Sequence, residues 1–87
     1  EEVSRTEGVS EEDIKSTKQK ANITHARKMC MFIIREATTL TFEMIGKEFG
    51  KNDSTVIYSI NDMEKEIQTD SKMQRKINDI INNIKTE

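Results

Sequence analysis

The chain has no proline, only three glycines, one cysteine and one histidine among 87 residues. The missing proline agrees with a helical chain, since a ring without an N–H interrupts helices. A single cysteine, Cys30, cannot close an internal disulfide, so folding requires no oxidising compartment. It sits within the apolar run "MCMFII" and reads as a small buried hydrophobe rather than a nucleophile. His25 alone cannot make a metal site, and no Cys/Asp cluster offers zinc spacing. Gly8, Gly46 and Gly50 fit neither nucleotide-binding glycine pattern, so no ATP site is expected in this chain. The longest apolar run, Met29 to Ile34, has six residues, against about twenty for a membrane helix.

What the chain does have is charge: 34% charged against 33% hydrophobic residues, with a net charge of −2. The apolar residues recur with period instead of scattering, which suits one small charge-rich helical domain. A domain of this size buries about 60% of its unfolded surface, enough for one modest core and a single binding task. Opening on Glu1 rather than Met, it reads as a segment of a longer protein. No nucleophile, base and orienting group assemble from these residues, so it is not expected to be an enzyme.

The apolar period divides the chain. Residues 1–9 read as a poorly ordered or weakly helical lead-in and residues 10–87 as a single domain. Ser10 precedes three acids and is placed to cap a short first helix. A helix is expected from Thr24 to about Ala37, with Met29, Phe32, Ile33 and Ala37 turned to the core. Thr41 is the N-cap of the next, whose Phe42, Ile45 and Phe49 share a face and which Gly50 stops. After the turn, with Asn52 or Asp53 as cap, Val56, Ile60, Met63 and Ile67 repeat at helical spacing. A C-terminal helix over about 71–86 carries Met73, Ile77, Ile80, Ile81 and Ile84. The apolar faces suffice for a monomer core, and no sustained heptad indicates a coiled coil.

A short helix, a tight turn with glycine and a longer second helix over about 41–67 is the helix-turn-helix pattern, whose second helix inserts its N-terminal residues into the DNA major groove. Asn52, Asp53, Ser54 and Thr55 fall there, with Tyr58 and Ser59 one turn on. Short hydroxyl side chains suit close approach to base edges. Charge is polarised despite its near-neutral sum: from Lys15 to Arg35 there is no acid, while Lys15, Lys18, Lys20, Arg27, Lys28 and Arg35 are basic. The basic stretch, taken as a loop over 15–28 that leads into a helix N-terminus, could offer both side chains and backbone N–H groups to phosphate.

From about Val9 to Ile84 the chain resembles the C-terminal DNA-binding domain, domain IV, of the bacterial chromosomal replication initiator DnaA family. "VSEEDIKS" resembles the family's short helix and "KSTKQKANITHARKMCMFIIRE" its basic loop and long helix. "IGKEFGKNDSTVIYSI" resembles the signature across the helix-turn-helix, through Ile45, Gly46, Phe49, Gly50, Lys51, Ser54, Thr55 and Val56. The resemblance implies an all-α, Trp-repressor-like bundle that binds double-stranded DnaA-box DNA at the replication origin. It further implies a cytoplasmic, nucleoid-associated protein with an ATP-binding ATPase domain upstream and regulatory proteins of initiation as further partners. It carries DNA contact over to Arg27, Lys51, Ser54 and Thr55; with Lys18 and Lys20 for phosphate charge, and with His25, Lys28, Asn52 and Asp53, these are the candidate DNA-binding residues. Three residues depart from the family. Asp53 stands where the family has a DNA-contacting histidine, Gln19 where it has a minor-groove arginine, and Ala26 where proline precedes Arg27. The lead-in also lacks the family's aromatic residues. A carboxylate at 53 repels phosphate and accepts only from donors such as the cytosine amino group, so box affinity is expected to be weakened or redirected. The alternative is a protein-interaction domain of the same fold.

Overall fold

Ser10 begins the first helix as its position predicts: its Oγ accepts from the Asp13 amide at 3.1 Å. A computed structural model describes residues 8–16 and 19–86, the side chains of 85 and 86 excepted. Among the described residues the chain forms five helices and no strand: α1 (Glu11–Ile14), α2 (Ala21–Ala37), α3 (Phe42–Phe49), α4 (Asp53–Thr69) and α5 (Ser71–Thr86). Seven residues of the expected lead-in lie outside the described part. Val9, assigned to that lead-in by the sequence, is only 4% exposed and belongs to the core.

α2 starts three residues earlier than expected, at Ala21, so residues 21–28 of the predicted basic loop are helical. Its N-cap, Lys20, makes no side-chain capping bond, which is why no local start signal was visible. α2 packs against each of the other four helices. Ile23, Ala26, Met29, Met31 and Ile33 are accordingly buried on more than one side of it. Phe32, expected in the core, is only partly buried against it.

Ile45 and Phe49 of α3, Val56, Ile60 and Met63 of α4, and Met73, Ile77 and Ile80 of α5 complete the same core. At roughly 25 cal/mol per Å² of apolar surface removed from water, this one cluster is the main favourable term. Every fully buried side-chain nitrogen or oxygen among the described residues is hydrogen-bonded. Where α4 passes into α5, Asp70 Oδ1 accepts from the amides of Lys72 and Met73 at 3.1 and 3.2 Å. This caps α5 on the spot where the sequence breaks its pattern.

Candidate nucleic-acid interface

Two glycines set the geometry of the α3–turn–α4 unit. Gly50 takes φ +64°, ψ 34°, the left-handed conformation that closes a helix. The Lys51 amide then donates to the Gly46 carbonyl at 2.8 Å and the Gly50 amide to that of Lys47 at 3.4 Å, the pairing of a Schellman motif. Gly46 is required for a different reason: a Cβ there would lie 2.5 Å from the Lys51 carbonyl oxygen, so the turn can fold back only onto a residue without a side chain.

At the other helix ends, Thr41 Oγ1 accepts from the Met44 amide at 3.2 Å, capping α3. Of the two capping candidates for α4, Asn52 takes the role: its Oδ1 accepts from the Thr55 amide at 2.8 Å. Asp53 is instead the first helical residue, exposed, with Oδ1 2.9 Å from the Ser54 amide that donates to it. A carboxylate in the first turn suits the positive end of the helix dipole, so its presence is stabilising for the free domain whatever it does to a ligand. Ser54 and Thr55 are exposed beside it, and Lys51 is half-buried in the turn.

The second group of candidates comes from the basic segment. Lys20 and Gln19 are exposed. Lys18 lies outside the described residues. Arg27, which the resemblance places against the duplex, is only 6% exposed in the free domain and lies on the wall of the groove between α2 and α4. Its Nε donates to the Ile14 carbonyl at 2.7 Å and its NH2 nitrogen to the carbonyls of Ser16 and Asp13 at 2.7 and 3.2 Å. The guanidinium therefore ties the end of α1 and the following turn to α2, a task that uses its planar fork.

Lys28 and His25 are each met by an acid from the far half of α4. Lys28 Nζ donates to Asp62 Oδ2 at 2.6 Å, and His25 Nε2 lies 2.7 Å from Glu66 Oε2. The Lys28 hydrogen bond, then its charge, hold the Asp62 carboxyl below the usual carboxylate range. In the sequence, acids gather between Asp62 and Glu66. In the fold, two of them partly neutralise the basic helix next to the reading helix.

One groove of about 240 Å³ joins the two groups of candidates, with Lys28 from α2, Lys51 from the turn and Thr55 from α4 on its walls. Gln19 and Tyr58 also line it. From the sequence, Tyr58 is marked only by its position one turn into the second helix. An adjoining hollow holds His25, Asp62 and Glu66. Asn52, Asp53 and Ser54 lie outside the groove's lining, at the exposed start of α4.

A separate cleft between α1, α2 and α3 contains Cys30 with Ile14, Ile34 and Phe49. Burial pushes the Cys30 thiol up, away from the thiolate, as for an inert packing residue. Among the described residues no group of three metal-ligating side chains exists, and no helix is long and apolar enough to cross a membrane.

The family of the bacterial DnaA protein helix-turn-helix matches residues 1–63, which hold the groove, α3 and the first part of α4. The chain is 36% identical over 85 residues, 98% of its length, to the chromosomal replication initiator protein DnaA of Caldanaerobacter subterraneus subsp. tengcongensis, covering 19% of that protein. It is 40% identical to the protein of the same name from Thermodesulfovibrio yellowstonii, with 88% of this chain and 18% of that one aligned. The corresponding figures for Streptococcus pyogenes serotype M1 are 42%, 90% and 18%. The chain thus spans about a fifth of the length of the relatives it matches. With a helix-turn-helix built on Gly46 and Gly50, and with the family match extending over most of its length, the chain belongs to the bacterial DnaA helix-turn-helix family.

Proposed function

We propose that this domain binds double-stranded DNA in a sequence-dependent way, recognising DnaA-box sequences at the replication origin. α4 enters the major groove, and the basic segment before α2 lies along the phosphate backbone. The observation that carries this reading is the start of α4: a capped helix end, held by the Gly46–Lys51 approach, exposes Ser54 and Thr55 next to Lys51. Lys51 supplies positive charge for phosphate, and the short hydroxyl side chains allow close approach to base edges. The domain acts as a monomer in the cytoplasm. In a longer protein, an upstream domain would supply any ATP chemistry, and regulatory proteins of initiation could dock on the faces that the duplex leaves free.

Fluorescence anisotropy tests the reading directly, with one labelled duplex carrying a consensus DnaA box and one scrambled duplex, each titrated over a range of salt. Tighter binding to the box is expected, with log K falling against log salt by about 0.9 per phosphate contact. With five contacts the slope is about −4 to −5. Equal, salt-sensitive binding to both duplexes would leave a phosphate-gripping domain without readout. No binding to either would point to a protein-interaction domain of the same fold.

A further inference from the structure

Tyr58 is the most exposed large apolar side chain among the described residues, at 65%. The core does not use it, and its hydroxyl has no hydrogen-bond partner among the described residues. Yet its ring is not loose: Lys28 Nζ stands 5.6 Å from the ring centroid, within cation–π range. That ammonium is itself fixed, by the 2.6 Å hydrogen bond to Asp62. Asp62 follows Tyr58 by four residues on α4, so the three side chains form a closed local set: one helix supplies ring and carboxylate, the other the cation between them. With Lys28 held near the ring, most of Tyr58 remains exposed. Tyr58 lies three residues beyond Thr55, and both line the groove between α4 and α2.

An oriented aromatic ring one turn into a helix that enters the major groove is placed for one apolar feature of base edges, the C5-methyl group of thymine. We propose that Tyr58 is a specificity-determining residue that packs against a thymine methyl, with Lys28 and Asp62 acting as positioning residues for its ring. This rests on the DNA-binding reading above and adds to it a particular readout at one base pair. A competing use of the same side chain, a hydrogen bond from the phenol to a phosphate, predicts a different response to loss of the hydroxyl.

The test is a uracil scan. In the duplex that binds most tightly, each thymine is replaced singly by deoxyuridine, which removes only the methyl group, and the dissociation constant is measured for the unaltered chain, Tyr58→Phe, Tyr58→Ala and Asp62→Asn. At one position the unaltered chain and Tyr58→Phe should each lose affinity about three- to fivefold, the worth of one buried methyl. Tyr58→Ala should bind the thymine duplex more weakly and show no further loss with uracil there. Asp62→Asn, by removing a negative charge, should bind every duplex more tightly, while its uracil penalty at that position shrinks because the ring has lost its support. A uracil penalty that is the same with or without the Tyr58 ring overturns the proposal while leaving DNA binding intact. So does Tyr58→Phe behaving like Tyr58→Ala, which assigns the side chain to a phosphate. Absence of binding to any duplex overturns both this proposal and the reading on which it rests.

Discussion

The carbonyl oxygen of Lys51 lies 2.5 Å from the point a Cβ on Gly46 would occupy, while the Lys51 amide donates to the Gly46 carbonyl at 2.8 Å. The two residues therefore meet twice, once through a hydrogen bond and once through a backbone contact that tolerates no side chain. Gly46→Ala should force the turn away from α3 and destabilise the domain by about 1–3 kcal/mol, the usual cost of overpacking. Gly50→Ala meets open space but a left-handed φ, and should cost about 1–2 kcal/mol through backbone strain alone. Urea denaturation followed by circular dichroism measures both. An unchanged midpoint for Gly46→Ala would show that the approach is not rigid.

Arg27 offers a second test. Replacing it by methionine leaves the Ile14, Ser16 and Asp13 carbonyls without their charged donor, at an expected cost of about 1.5–3 kcal/mol. Lysine should not restore it, because one ammonium cannot span three acceptors as the guanidinium does. Thermal unfolding of Arg27→Met and Arg27→Lys decides the point, and full rescue by lysine would argue against the tie.

Burial separates two large residues that the sequence put on the same footing. Ile60 is 7% exposed in the core, so Ile60→Ala should cost about 2–5 kcal/mol by cavity formation. Phe32 is only partly buried, and Phe32→Ala should fall below the range usual for a buried phenylalanine. The order of the two unfolding midpoints is the readout.

Asp53 is exposed at the start of α4, where the family resemblance places a histidine. Asp53→His should tighten binding to a consensus box duplex by about 1–3 kcal/mol, the value of a good base contact. The same change should lower the stability of the free domain slightly, as a carboxylate leaves the positive helix end. Parallel anisotropy and unfolding measurements would separate the two effects, and unchanged box affinity would end the account of a lost contact.

The Asp62–Lys28 pair has a predictable pH dependence. The folded state holds the Asp62 carboxyl below its unfolded value, so the pair's contribution is present above about pH 4 and is lost as pH falls through the depressed folded value. An NMR titration of the Asp62 carboxyl should show a lower midpoint than the same titration in Lys28→Met. Equal midpoints would mean that the hydrogen bond does not persist in solution.

Features fixed by neighbouring residues were legible in the sequence. Ser10, Thr41 and Gly50 act as their local chemistry requires, and the break before α5 coincides with its Asp70 cap. Features made by distant residues were not. Arg27 reads as one more cation in a basic run, and only the folding of α1 back onto α2 makes it a buried donor. Lys28 meets Asp62 across 34 residues and His25 meets Glu66 across 41, so neither pairing leaves a mark in local pattern. The helical period likewise put Phe32 in the core without showing how α2 would be shared among its neighbours.

The arginine that ties α1 to α2 also bears on the thermodynamics of recognition. Immobilising a flexible backbone costs about 1–2 kcal/mol per residue. With Asp13, Ile14 and Ser16 already held by Arg27 before any partner arrives, that entropy is lost during folding and not during association. Loosening the tie would accordingly weaken binding without removing a single contact to the duplex, and would do so by making the entropy of association less favourable.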